Sequence, residues 1–321
     1  MGYKWGEKST PATRIEEFAR LSRSQPLTGV TFSLTMLTVL LWAGNPVATS
    51  FSADVLPPIA ISGIRFLLAT GFMFAWCLVE RAPMALKSGQ YVPVLIAGTL
   101  LALQIWTFTL GVAWSSSSHS SLLINSYVFF VVICDHFITR QYRLGYWAWG
   151  GFWLAMAGVT GLLLTVDPAA QSQRDAPTLT GDLITLFSAF LFAAKLLYSK
   201  QALKVIGATQ LIFWHDVVAV VLFAVLSFST EQVAWHAVTP VGWVALVYQG
   251  VLVGGLCFGL QTWLLKWHSA SQIAIFSFLT PLMGIALSSL LRGDRLTPAM
   301  GIAGACVAIG IIFVQRDQKS N

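Results

Sequence analysis

Four ionisable residues lie inside long apolar stretches of this chain, where charge is expensive. Lys195 lies about midway along one stretch, Arg65 lies in a second, and His215 and Asp216 are neighbours in a third. A lysine at the centre of a bilayer costs roughly 2.5–3.5 kcal/mol on insertion scales, so it indicates a function unless a partner neutralises it. For Lys195 two interpretations stay open: a positive site for a substrate carboxylate or phosphate, or an ion pair with Asp216 that fixes helix packing.

The other three ionisable residues are candidates for charge or proton coupling. Histidine side chains titrate near neutral pH, so His215 beside Asp216 is a candidate proton relay, with a hydrogen-bonded structural histidine as the alternative. Arg65 is a second candidate cation for an anionic substrate. Its long stem also allows the guanidinium to reach toward an interface, which is the structural alternative.

Two prolines inside apolar stretches mark candidate helix breaks. Asn45 precedes Pro46, and Pro281 lies near Ser277 in a late stretch. A proline inside a helix removes a backbone donor and leaves a carbonyl free at the same depth. Breaks at related depths in two halves of a carrier point to its binding site. Asn45 is therefore the strongest single prediction for a residue that faces a cavity.

Uncharged polar and aromatic side chains complete the predicted site. An amide carries donors and acceptors that lipid cannot satisfy, so each must bond across helices or face a substrate. Aromatic rings stack on an apolar or planar substrate, or pack in the core and against lipid. The predicted substrate-binding set is Asn45, Gln104, Asn125, Lys195, Gln249, Trp42, Trp106, Tyr127 and Ser277.

These residues are carried by ten apolar stretches of a length that crosses a membrane. A helix rises about 1.5 Å per residue, so about 20 residues span the hydrocarbon. The predicted helices are Gly29–Phe51, Pro58–Glu80, Tyr91–Trp114, Ser118–Thr139, Leu144–Val166, Thr180–Lys200, Thr209–Phe228, Pro240–Lys266, Ser271–Leu291 and Thr297–Val314. The hydrophobic fraction of 56% and charged fraction of 10% agree with a bilayer environment.

The ten helices fall into two sets of five that resemble each other. With the chain shifted by 150 residues, Asn45 aligns with Lys195 and Arg65 with His215. An odd number of crossings turns the second set upside down, which is the architecture of alternating-access transporters. The predicted fold is an all-α membrane protein with ten transmembrane helices as two inverted five-helix repeats. The repeats are residues 28–166 and 180–316, joined by 167–179, with tails at 1–27 and 317–321.

Basic residues predict how the chain sits in the membrane. Fourteen of the 19 lysines and arginines fall on the side of the amino-terminal tail, and three, Arg174, Arg292 and Arg295, fall on the other. The positive-inside rule therefore places both termini in the cytoplasm of a bacterial-type inner membrane. The net charge of +6 follows from this bias and from anionic lipid, so we expect no nucleic-acid partner.

Catalysis, metals and cofactors find no support in the sequence. The five histidines are scattered without metal-ligand spacing, and neither a Walker A loop nor a nucleophile elbow is present. The four cysteines lie in apolar stretches and are expected to be packing residues. We therefore predict no enzyme activity, metal or cofactor.

Several motifs carry a family resemblance over roughly residues 28–316. The motifs are Trp42-Ala43-Gly44-Asn45-Pro46, Arg65-Phe66, GDLITLFSAFLFAAK from Gly181 to Lys195, Pro281, and Asp294-Arg295-Leu296. The chain resembles the drug/metabolite transporter superfamily, in the branch with two EamA-type domains. It departs at the fourth helix, where Phe129 stands in the proline position and Tyr142-Arg143-Leu144 replaces the acidic turn.

The resemblance implies a transporter of small metabolites with helices one to four and six to nine around a cavity. Helices five and ten would be peripheral, and their glycines allow close packing in the bundle or in a homodimer. We predict secondary-active export of a small metabolite such as an amino acid, by alternating access. The alternatives are a carrier of organic anions or phosphorylated metabolites, and a membrane-embedded enzyme or non-transporting receptor.

Overall fold

A computed structural model describes residues 28–134, 136–137, 144–165, 176–267 and 279–320. All regular structure in these ranges is helical. Nine helical segments of the described chain are long and apolar enough to cross a membrane, and Leu279–Arg292 is a shorter apolar helix. The amino-terminal tail 1–27, Ser277 and most of the predicted connection 167–179 lie outside the described residues, whereas the predicted carboxyl-terminal tail continues the last helix to Ser320.

The helices are named in chain order. They are α1 (Gly29–Ala43), α2 (Asn45–Ala53), α3 (Pro58–Glu80), α4 (Tyr91–Ala113), α5 (Ser117–Ile124), α6 (Tyr127–Cys134), α7 (Tyr146–Leu164), α8 (Leu179–Ala202), α9 (Ala208–Thr230), α10 (Pro240–Val247), α11 (Phe258–Trp267), α12 (Leu279–Arg292) and α13 (Pro298–Ser320). A π-helical segment, Tyr248–Cys257, joins α10 to α11. Short 3₁₀ turns cover Ser88–Gln90 and Trp235–Ala237.

The first predicted helix is broken, as its proline indicated. α1 ends at Ala43, Gly44 caps it, and α2 starts at Asn45 with Pro46 in its first turn. The hydroxyl of Tyr248 donates to the carbonyl of Leu41 at 2.6 Å. A Cβ on Gly44 would collide with that hydroxyl. Tyr248, from the π-helical segment, therefore occupies the space beside the break and bonds to a carbonyl of α1.

The fourth predicted helix is also broken, although it has no proline. The amide of Asn125 donates to the carbonyl of Ser121 at 2.7 Å, and α5 ends one residue earlier. A side chain that takes the place of a backbone donor in the i→i−4 ladder is a known cause of kinks. The described part of the predicted helix Ser118–Thr139 is therefore interrupted at Asn125 and Ser126, between α5 and α6, within one span that runs from Ser117 to Cys134.

The eighth predicted helix contains a π-helical stretch that its sequence did not indicate. Its glycines pack against α3: a Cβ on Gly250 would lie 2.6 Å from that of Leu68, and one on Gly255 would lie 2.5 Å from the ring of Phe72. Close backbone approach between two helices needs such small residues. The π segment therefore follows the surface of α3 at close range.

Helices α7 and α13 pack against each other along their lengths. Gly151 and Gly310 meet there, since a Cβ on either would lie within 2.6 Å of the carbonyl of the other. A hydrophobic cluster that includes Leu122, Ala155 and Val307 joins this pair to α5. The described part of the remaining helices forms the body of the bundle, in which α4 packs on α8, and α9 packs on α3 and α4.

Candidate functional site

A cavity of about 600 Å³ lies among these helices. Its wall includes side chains from α1, α2, α3, α4, α5, α6, α8, α11 and α13. The lining runs from Arg65 and Asn45 in the middle of the bundle to Lys200 and Leu203 where α8 ends. We call the end of the bundle that carries Lys200 the cavity end. Volume and depth are those of a site for a small molecule.

Arg65 and Asn45 face this cavity at one depth. Arg65 is seven residues from the start of α3 at Pro58, and Asn45 is eight residues from the end of α2 at Ala53. With 1.5 Å per residue, both lie about 10–12 Å below the opposite end of the bundle. Together they form the deep part of the cavity, the part farthest from Lys200.

Both residues have buried polar atoms without a hydrogen-bond partner. These atoms are Nε and Nη1 of Arg65 and Oδ1 of Asn45. Arg65 is only 2% exposed, and its guanidinium lies 5.4 Å from the ring centre of Phe66. Buried polar groups in proteins are almost always hydrogen-bonded, so each exception needs an explanation. Here donors on one cavity-lining residue and an acceptor on another lack hydrogen-bond partners.

Lys195 lies behind the cavity wall and does not line it. The side chain is 5% exposed, and its ammonium lies 4.8 Å from the ring centre of Phe258 and 6.0 Å from that of Phe192. Both rings line the cavity. The predicted participation of Lys195 in substrate handling stays a prediction.

Asp216 is the carboxylate associated with these two cations. It is buried in α9 and interacts electrostatically with Lys195, Arg65 and His215. Its Oδ1 lies 2.9 Å from Nδ1 of His215, and its Oδ2 has no hydrogen-bond partner. If histidine is neutral, this central cluster carries two positive charges and one negative charge.

Four more predicted residues are brought to the cavity. Trp42, Gln104, Asn125 and Tyr127 all line it. The amide of Gln104 donates to the hydroxyl of Ser188 at 3.2 Å, and that hydroxyl donates back to the carbonyl of Gln104. The amides of Gln104 and Asn125 therefore each make a structural bond within the wall. Their roles toward substrate stay predictions.

Three predicted residues are placed elsewhere. Gln249 does not line the cavity: its amide donates to Ser52 Oγ at 2.8 Å and accepts from Thr49 Oγ1 at 2.9 Å. These two hydrogen bonds hold the π-helical segment against α2. Trp106 also lies outside the cavity lining and is 36% exposed on the bundle surface. Pro281 is buried in the first turn of the described part of α12.

The other end of the bundle holds polar contacts that sequence reasoning missed. Asp182, in the first turn of α8, is fully buried, and its Oδ2 lies 2.7 Å from Nδ1 of His119. The hydroxyl of Ser115 donates to the other carboxylate oxygen. The acidic residue in the first turn of α8 is the sequence signal that could have found this contact.

Two more contacts join helices at this end. Oδ2 of Asp294 accepts from the backbone N–H of Ser118 at 2.9 Å and from its hydroxyl at 2.6 Å. Arg292 Nη1 donates to Asp54 Oδ2 at 2.6 Å. We call the region of Asp54, Asp182, Arg292, Asp294 and their partners the polar end. The acidic turn quoted for the resemblance therefore binds the start of α5.

Metal chemistry has no site in the described part of the chain. No group of three or more histidine, cysteine, aspartate or glutamate side chains is placed to hold an ion there. The polar end supplies pairwise contacts between helices, and the cavity supplies open hydrogen-bonding groups. The fold and the site together define a helical membrane protein with a small-molecule cavity at its centre.

Comparisons with known proteins agree with this class. The chain is 23% identical over 275 residues to an uncharacterised transporter of Bacillus subtilis, covering 85% of this chain and 92% of the relative. It is 23% identical over 291 residues to a probable amino-acid metabolite efflux pump of Salmonella typhimurium, covering 88% and 93%. A solved crystal structure is similar in fold, with a TM-score of 0.66 and 18% identity over 92% of this chain and all of the other.

Residues 29–164 and 179–316 each match the EamA-like transporter family. The chain belongs to this family of membrane transporters, which confirms the resemblance drawn from the motifs. The chain is an integral membrane protein of transporter class.

Proposed function

We propose that this protein is a secondary-active carrier that exports a small metabolite, such as an amino acid, by alternating access. The observation that carries the proposal is the central cavity lined at its deep end by Arg65, a buried cation with two nitrogens that lack a hydrogen-bond partner. Intramembrane ionisable residues that face a cavity mark substrate or ion pathways. Relatives named as probable amino-acid metabolite efflux pumps support the substrate class.

The proposed architecture has ten spans in two inverted repeats, with α12 as part of the ninth. Helix packing supports it. The second span packs on the seventh, the fourth on the ninth and the fifth on the tenth. The third span packs on the sixth, and the eighth span packs on the first in the corresponding way. A pseudo-two-fold axis in the membrane plane relates helices in this way.

The proposed state is one in which the cavity faces the cytoplasm. The positive-inside bias assigns the end that carries Lys200 to the cytoplasm, together with both termini. The polar end would then form the barrier on the outer side. Alternating access requires that its contacts, such as Asp294 with Ser118, break when the cavity opens outward.

Transport by purified protein in proteoliposomes is the direct test. Vesicles loaded with one unlabelled amino acid at a time should accumulate the same labelled amino acid by counterflow, and empty vesicles should not. Flux that is found only with phosphorylated solutes or dicarboxylates would favour the organic-anion alternative. Absence of counterflow for every solute would contradict the carrier function.

Accessibility of single cysteines separates a carrier from an enzyme or receptor. In a cysteine-free background, Asn45→Cys should react with small thiol reagents, because Asn45 lines the cavity. Trp106→Cys is the matched control on the bundle surface, where lipid slows the reaction. If Asn45→Cys is as unreactive as the control, the cavity is not an aqueous pathway.

A further inference from the structure

We infer that Arg65 and Asn45 form a recognition site for the two charged groups of a zwitterion, with Arg65 binding the carboxylate and Asn45 the ammonium. The inference rests on the proposed function, since it names the chemistry of the substrate in that same cavity. It starts from two facts: both side chains line the cavity, and each has a buried atom without a partner.

The hydrogen-bonding polarity of the open groups defines the ligand. A guanidinium only donates, so the open Nε and Nη1 of Arg65 require an acceptor. Oδ1 of Asn45 only accepts, so it requires a donor. A ligand with one anionic acceptor and one cationic donor satisfies both. An α-amino acid carries these two groups.

The charge of the central cluster favours one carboxylate over a phosphate dianion. Among the described residues, Asp216 is the carboxylate that opposes Arg65 and Lys195, which leaves one positive charge of this cluster uncompensated. Lys195 is screened from the cavity by Phe258, so one guanidinium meets the ligand. A planar guanidinium pairs with a carboxylate through two parallel hydrogen bonds. A single monoanionic group therefore balances the cluster.

The rest of the cavity accommodates an apolar side chain. Apolar residues also line the cavity, among them Val39, Ile105, Phe108, Val131 and Val253. Aliphatic and aromatic walls with a few placed polar groups are the usual composition of a small-molecule site. The substrate class that this geometry fits is a zwitterionic amino acid with an apolar side chain.

A series of isosteric probes tests the assignment of each group. The probes are leucine, 4-methylpentanoate, which lacks the ammonium, and isoamylamine, which lacks the carboxylate. Binding is measured on the purified full-length protein as ligand-induced protection against thermal unfolding, and as competition in counterflow. We expect leucine to bind best, 4-methylpentanoate to bind more weakly and isoamylamine not to bind. Protection by isoamylamine equal to that by leucine would overturn the proposal.

Variants assign the two groups to their residues. Arg65→Met should weaken leucine and 4-methylpentanoate binding roughly 10- to 100-fold, the usual effect of losing a hydrogen bond to a charged group. Arg65→Lys should recover part of that loss. Asn45→Ala should bring leucine down to the level of 4-methylpentanoate, a change of about 3- to 10-fold, and leave the latter unaffected.

Arg316→Met is the matched control, because Arg316 stacks on Trp147 outside the cavity lining. Its leucine binding should equal that of the wild type. Wild-type leucine binding by Arg65→Met would overturn the proposal and leave the carrier function intact. Failure of the carrier function itself is a separate result, namely absence of counterflow by the wild-type protein for every solute.

Discussion

The polar end and the centre of the bundle use charge in opposite ways. At the polar end each described carboxylate has a close partner on another helix, such as His119 for Asp182 and Arg292 for Asp54. At the centre, Arg65 has buried donors without a partner and Lys195 contacts aromatic rings. Partnered charges hold helices together, whereas open buried charges lower stability and are retained where a ligand uses them.

The largest expected effect is at the polar end. Asp182→Ala removes one member of a fully buried contact and leaves His119 and Ser115 without their acceptor. Breaking one side of a buried pair typically costs about 3–5 kcal/mol. The free energy of unfolding in mixed micelles should fall by that amount.

Asp54→Ala is the control for this prediction. Asp54 is paired with Arg292 at the rim of the bundle, with a quarter of its side chain exposed. Exposed ion pairs contribute about 0–1 kcal/mol. Equal destabilisation by the two variants would show that burial does not distinguish the two contacts.

The second-largest effect on stability is expected at Gly44, where α1 meets α2. Gly44→Ala places a methyl group against the hydroxyl of Tyr248, which must then leave the carbonyl of Leu41. Overpacking of this kind costs roughly 1–3 kcal/mol. Thermal unfolding should report a loss, and Gly71→Ala, where nothing lies within 4 Å of the new Cβ, should be neutral or slightly stabilising. A neutral Gly44→Ala would mean that Tyr248 does not hold the break.

The smallest effect has the opposite sign. Lys195→Met keeps the length of the side chain and removes its charge, while Arg65 and Asp216 still balance each other. Insertion of a central lysine costs roughly 2.5–3.5 kcal/mol, and a desolvated cation–π contact offsets about 2 kcal/mol of that. We expect the free energy of unfolding to rise by about 1 kcal/mol. We also expect slower counterflow in proteoliposomes, with a changed pH dependence.

Arg292→Met is a useful comparison for that variant, because it removes a cation with a carboxylate partner. It should lower stability slightly and leave the substrate affinity unchanged. If Lys195→Met destabilises the protein and transports at the wild-type rate, Lys195 is a structural residue. The contrast between partnered charges at the polar end and open charges at the centre would then not include Lys195.

The amino-acid order alone predicted most of the apolar spans and several of the residues that line the cavity, because both follow from local rules. Apolar runs of a fixed length specify membrane helices, and Asn45-Pro46 specified the break that the structure contains. Arg65, Asn45 and Asn125 could each be selected from the sequence as candidates for the cavity, because lipid cannot satisfy the hydrogen bonds of a polar side chain. Family membership also followed from short motifs in each half of the chain.

Only the tertiary structure decided which of those polar groups are open. Gln249 and Asn45 are both amides in apolar stretches, yet Thr49 and Ser52 bond to the amide of Gln249, whereas Oδ1 of Asn45 has no hydrogen-bond partner. Lys195 and Arg65 are both intramembrane cations, but a phenylalanine covers one and the cavity meets the other. His119 and Asp182, 63 residues apart, meet through packing of α5 on α8. Helix rotation and packing set these partners, and they depend on contacts between residues far apart in the chain.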